Sequence, residues 1–131
     1  MTLEVSSAVL AGMTELAAGA HPRECCGILL GEGGRISAIL AAANVHPQAE
    51  THFEIDPQAL VDAYRTARHG GPGVIGYFHS HPNRLARPSR TDRAQATHDG
   101  SVWAIVAGDE VTFWRDVAEG FIPLSYRVSD S

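Results

Sequence analysis

The run Val74-Ile75-Gly76-Tyr77-Phe78-His79 constrains this chain most, because it turns polar at once into Ser80-His81-Pro82. A short, continuous, β-rich apolar run reads as a strand covered on both faces, here a central one. Its polar end therefore lies at the rim of a core, not on an open surface. Gly70-Gly71-Pro72-Gly73 marks where the preceding element stops. A second apolar run, Cys25 to Leu30, is closed by Gly31; with the Gly33-Gly34 turn and Arg35 to Ala43 it reads as a hairpin. Val102 to Ala107 and Val111 to Arg115 read as two more strands joined at Gly108-Asp109, and Phe121 to Val128 as a last edge strand.

Helices fit between these runs. Ser6 or Ser7 caps a first helix in which Val9, Leu10, Met13, Leu16, Ala17 and Ala20 recur at helical spacing before His21-Pro22. Asp56-Pro57 starts a second, with Leu60, Val61, Tyr64 and Ala67 as its apolar face. A short third helix is expected over about Thr91 to His98, and a short strand over Thr51 to Ile55. Strands and helices mix without strict alternation, so the expectation is an α/β or α+β sheet with flanking helices. At 131 residues, one domain over 1–131 is expected.

Charge excludes some partners. The net charge is -5, which argues against a nucleic-acid binder. Yet Arg84, Arg87, Arg90 and Arg93 face only Asp92 between residues 84 and 93, a local net of +3. Such a patch on an acidic chain suits an anionic partner, or it is a solvated helix start. Adjacent Cys25 and Cys26 read as reduced, buried thiols. No basic-then-apolar leader and no run of ~18 apolar residues is present, so a cytoplasmic protein without a membrane role is expected.

The chemistry is concentrated after the central strand. Residues two apart on a strand share a face, so His79 and His81 aim both imidazoles at one point. Residues three apart on a helix are neighbours, so Ser89 and Asp92 share the first turn of the third helix. The seven residues 82–88 allow that turn to swing across the strand end. Two histidines, one carboxylate and a fourth position left to water make a catalytic zinc set. Ser89-x-x-Asp92 also fits a capping box with Asp in place of Glu. Amide hydrolysis needs a group to take the water's proton and deliver it to the leaving nitrogen, and Glu24, before the Cys25–Leu30 run, is the candidate.

Glu24, His79-x-His81, a gap of seven, Ser89 and x-x-Asp92 together resemble the JAMM signature of the MPN-plus (Mov34/MPN/PAD-1) metallopeptidases, in their short prokaryotic branch. The segment Glu24 to Gly31 resembles the stretch that begins at that family's glutamate, and the match spans residues 24–92. The resemblance implies a curved, mostly antiparallel sheet between helices, like the cytidine-deaminase architecture. It implies Zn²⁺ on His79, His81 and Asp92, Glu24 as general base and then acid, and Ser89 hydrogen-bonding the oxyanion. It implies cleavage of an amide at or near the Gly-Gly end of a ubiquitin-like or sulfur-carrier protein, and it is compatible with a homodimer. An open groove taking an extended tail by strand addition is expected, with His52 and Phe53 along it and the arginines meeting an acidic carrier. The alternatives are a non-catalytic MPN scaffold and an amidohydrolase of small peptides. Ser80 should face away from the site. His21, His46, His52, His69 and His98 lack a second ligand at suitable spacing, and Trp103, Phe113 and Trp114 read as core or sheet-face residues.

Overall fold

The computed structural model describes residues 2–130. Seven strands close on themselves in the order β1-β3-β2-β4-β5-β6-β7. They are β1 (Thr2–Ser6), β2 (Cys26–Glu32), β3 (Arg35–Ala42), β4 (Gly73–Ser80), β5 (Val102–Ala107), β6 (Glu110–Val117) and β7 (Gly120–Ser129). Helices α1 (Ser7–Ala20), α2 (Pro57–Arg68) and α3 (Arg90–Gln95) complete it. The pairs β2–β3, β2–β4, β5–β6 and β6–β7 are antiparallel, whereas β4–β5, β1–β3 and β1–β7 are parallel. The mixed α/β expectation holds.

Alternation along the strands separates two cores. Leu29, Phe78, Val102, Ala104 and Val106 face α1, where Val9 and Met13 are buried. Ile28, Leu30, Tyr77 and Trp103 face the other way, toward Ala63 of α2 and Phe53. The β4–β5 pair is close because position 76 is glycine: a Cβ there would collide with the Val102 carbonyl. His79 thus lies between Cys26 of β2 and Ile105 of β5.

Several expectations need correction. Strand β1 gave no sequence signal, because it is five residues long and pairs in parallel with a strand at the far end of the chain. That pairing means β7 is not an edge. Thr51 to Ile55 forms no strand, only a bridge between Asn44 and Ile55. On α2 the buried residue is Ala63, while Val61 and Tyr64 are 47% and 42% exposed. The small alanine lets the helix approach the sheet, and the Tyr64 hydroxyl instead meets that of Tyr77 at 2.6 Å. Helix α3 also stops at Gln95, short of His98.

Candidate active site

Strand register assembles the site. Cys26 is opposite His79 in an antiparallel pair, so continuing backward sets Cys25 beside Ser80 and Glu24 beside His81. The Ser80 amide donates to the Cys25 carbonyl at 3.1 Å. The Cys25 amide donates to the Ser80 hydroxyl at 2.8 Å, so Ser80 faces away and ties the strands together. His79 and His81 point to the opposite face.

Their Nε2 atoms lie 3.1 Å apart. Asp92 Oδ1 is 2.9 Å from His79 Nε2, and Oδ2 is 3.0 Å from His81 Nε2. All three residues are buried. Arg84, in the left-handed region at φ 65°, curls the chain after His81. The Leu85 carbonyl thereby accepts from His81 Nδ1 at 2.7 Å. A carbonyl only accepts, so the proton is fixed on Nδ1 and Nε2 is turned to the cluster.

Asp92 is aimed by the helix cap. The Ser89 hydroxyl accepts from the Asp92 amide at 3.0 Å, and Asp92 Oδ2 accepts from the Ser89 amide at 2.9 Å. This is a complete capping box. The cap and ligand readings of Ser89-x-x-Asp92 are therefore one arrangement, in which the cap presents the carboxylate to the histidines.

The donor set fits a divalent metal. One ligand atom from each of His79, His81 and Asp92 falls within 4.8 Å of the others. Two imidazoles and a carboxylate are hard-to-borderline donors suited to such an ion. His79 Nδ1 is buried without a hydrogen-bond partner. Its ring is held by stacking on Phe53, with centroids 4.2 Å apart, and by the edge of Trp103 at 5.6 Å.

Burial raises the Glu24 carboxyl to about 7; His81 opposes this and the charge of Asp92 reinforces it. Burial also acts to raise Asp92, but hydrogen bonds from His79 and His81 outweigh it and hold that carboxyl well below its ordinary range. Burial depresses His79. At His81 burial acts downward, yet the bonds to Asp92 and Leu85 leave it raised. Burial pushes Cys25 up and Cys26 up to about 12, so neither thiol ionises readily at neutral pH.

An open pocket of about 250 Å³ leads to the cluster, lined by Glu24, His81 and Ser89 with Glu50, Thr51 and Asn83 among others. Glu50 and Thr51 thus occupy the place expected of His52 and Phe53. Phe53 is buried against His79, and His52 stacks on His46 at 4.6 Å. No sequence spacing marked Glu50, whose position depends on a loop. Arg84, Arg87, Arg90 and Arg93 are exposed on the segment flanking the cluster. His21 and His69 cap the ends of α1 and α2, and His98 pairs with buried Asp116 at 3.2 Å.

A closed mixed sheet with flanking helices, carrying His79-x-His81 and Asp92 beside a buried glutamate, defines a hydrolase of the JAMM type. The chain belongs to the prokaryotic homologs of the JAB domain, whose family model matches residues 6–117. It is 31% identical over 111 residues to a desampylase of Haloferax volcanii, covering 83% of this chain and 80% of that one. It is also 31% identical over 111 residues to tail tip assembly protein K of Escherichia phage N15, covering 85% of this chain but 43% of the phage protein. A probable TtuB-protein conjugate cleaving protease of Thermus thermophilus is 32% identical over 75 residues, 57% of this chain and 50% of that protein. Among solved structures, a protein from Desulfitobacterium hafniense superposes with TM-score 0.87 at 24% identity, covering 99% of this chain and 94% of the other. A JAB1/MPN domain protein from Archaeoglobus fulgidus gives TM-score 0.62 at 19% identity, covering 96% and 97%, which bears on the fold alone.

Proposed function

We propose that this chain is a zinc-dependent peptidase or isopeptidase that hydrolyses an amide at or near the Gly-Gly terminus of a ubiquitin-like or sulfur-carrier protein. The observation that carries this reading is the register that sets Glu24 beside the His79–His81–Asp92 cluster at one mouth. The relatives named as a desampylase and a conjugate-cleaving protease support the substrate class.

Zn²⁺ held by His79, His81 and Asp92 would supply a Lewis acid and lower the pKa of a water to ~7. Glu24 would take a proton from the attacking water and deliver it to the leaving nitrogen. Burial of its carboxyl favours the protonated form, so Glu24 can hold that proton between the two transfers. The Ser89 oxygen accepts from the Asp92 amide, which leaves its O–H free to donate to the developing oxyanion. A Gly-Gly tail, lacking side chains, enters a narrow mouth extended, in the manner of an added strand. The exposed Arg84, Arg87, Arg90 and Arg93 meet an acidic carrier surface. Reduced, buried Cys25 and Cys26 suit the cytoplasm.

The test pairs zinc per chain with cleavage of a carrier fusion, on wild type, His81→Ala and Glu24→Gln. Expected are about one zinc and cleavage in wild type, neither in His81→Ala, and zinc without appreciable turnover in Glu24→Gln. Zinc lost from Glu24→Gln but kept in His81→Ala would reverse the two roles. Cleavage that survives both chelation and Glu24→Gln would sink the reading.

A further inference from the structure

We propose that Asn44 is a positioning residue for Glu24, holding the backbone of the base where the sheet does not. This rests on the reading of Glu24 as the base. Glu24 precedes β2, so neither of its backbone polar groups joins the strand ladder through a strand partner. Both are taken by the loop 44–55. The Glu24 amide donates to the Ala49 carbonyl at 2.7 Å. The Glu24 carbonyl accepts from Asn44 Nδ2 at 3.0 Å.

The same Nδ2 donates to the His52 carbonyl at 3.0 Å. Asn44 Oδ1 accepts from the amides of His46 and Glu54, each at 3.1 Å. One carboxamide thus makes four bonds, its full capacity of two donors and two acceptor sites. Three of them close the loop on itself, and the fourth fastens the closed loop to Glu24. Phe53 of this loop stacks on His79, and its carbonyl accepts from Gln95 of α3 at 3.4 Å. The same loop thus touches both the base and one histidine of the cluster: Asn44 fastens it at Glu24, and Phe53 packs on His79 separately. An aspartate would keep the two acceptor bonds, from His46 and Glu54, and lose both donor bonds, to the Glu24 and His52 carbonyls.

The experiment compares wild type, Asn44→Ala, Asn44→Asp and His46→Ala. It reads amide hydrogen exchange at Glu24 and Ile28 by NMR, zinc per chain, and kcat and KM on the carrier fusion. His46→Ala removes a loop bond to the Gln48 amide and the stack on His52, but leaves the Asn44–Glu24 bond. Both Asn44 variants should speed exchange at Glu24 on the order of tenfold, with Ile28 in the ladder unchanged. Their kcat should fall on the order of 100-fold, with KM and zinc at wild-type values. His46→Ala should match wild type in kcat and in Glu24 exchange. Unchanged exchange at Glu24, an Asp variant equal to wild type, or zinc lost in step with kcat would each overturn the proposal. If wild type cleaves no carrier fusion, the functional reading fails by itself, and exchange at Glu24 alone decides whether Asn44 holds that residue.

Discussion

Glu24 gives the sharpest consequence at the scale of single residues. Its carboxyl is raised from 4.5 to about 7, so the folded, metal-free protein favours the protonated form. That contribution to stability is complete below 4.5 and is lost as pH rises through about 7. Metal-free Glu24→Gln has no charge to bury. It should melt above wild type beyond about pH 8 and level with it below about pH 4, in a thermal melt series across pH. With a divalent metal bound, its charge would oppose burial, so the acid limb of kcat/KM should fall below about 7 and vanish in Glu24→Gln. Phe53 makes a second prediction. It holds the His79 ring where a hydrogen bond to Nδ1 is missing. Phe53→Ala should weaken zinc binding ~10–100-fold in a chelator competition, the usual scale for losing the support of a metal ligand.

At the scale of elements, α3 is six residues long and its first turn holds the Asp92 carboxylate against His79 and His81. Its capping box ties Ser89 to Asp92 in both directions, so helix formation and site geometry are one event. Ser89→Ala should cost ~1 kcal/mol of stability through the lost cap. It should also lower kcat ~10²–10³-fold through the lost oxyanion donor, with Ser89→Thr recovering both. A stability loss without a kcat loss would leave Ser89 a cap only. The same element shows what spacing can and cannot reveal. Ser89-x-x-Asp92 was legible as a helix start, because a cap is local chemistry. That this cap faces His79 and His81 depends on the turn at Arg84, a left-handed arginine that no spacing rule marks.

For the whole molecule, the closing pair β1–β7 joins residues more than 120 positions apart, from Thr2↔Ser125 to Ser6↔Ser129. Leu3 on β1 is 1% exposed. Leu3→Ala should cost ~2–5 kcal/mol in a denaturant titration while leaving zinc per folded chain unchanged, since the cluster is built from β4, the residue after it and α3. The charge distribution makes a second prediction. A net +3 segment on a chain of net -5 gives a directional field at the site. KM for an acidic carrier fusion should therefore rise steeply with salt, and replacing the four arginines by glutamine should flatten that dependence.

The sequence by itself determined the elements whose information is local. The apolar runs behind β2, β4 and β5, the Asp56 cap, a first cap at Ser6 or Ser7, and the facing of His79, His81 and Ser80 all follow from side-chain period and cap chemistry. It also marked Glu24, His79, His81, Ser89 and Asp92 as one candidate set, because their spacing resembles a known signature. Tertiary structure alone decided the rest. The antiparallel register places Glu24 beside His81, a loop places Glu50 and Thr51 at the mouth and Phe53 on His79, and β1 closes the sheet. These features depend on pairings between distant segments, and the energy of such pairings lies in surfaces that exist only once the chain has folded.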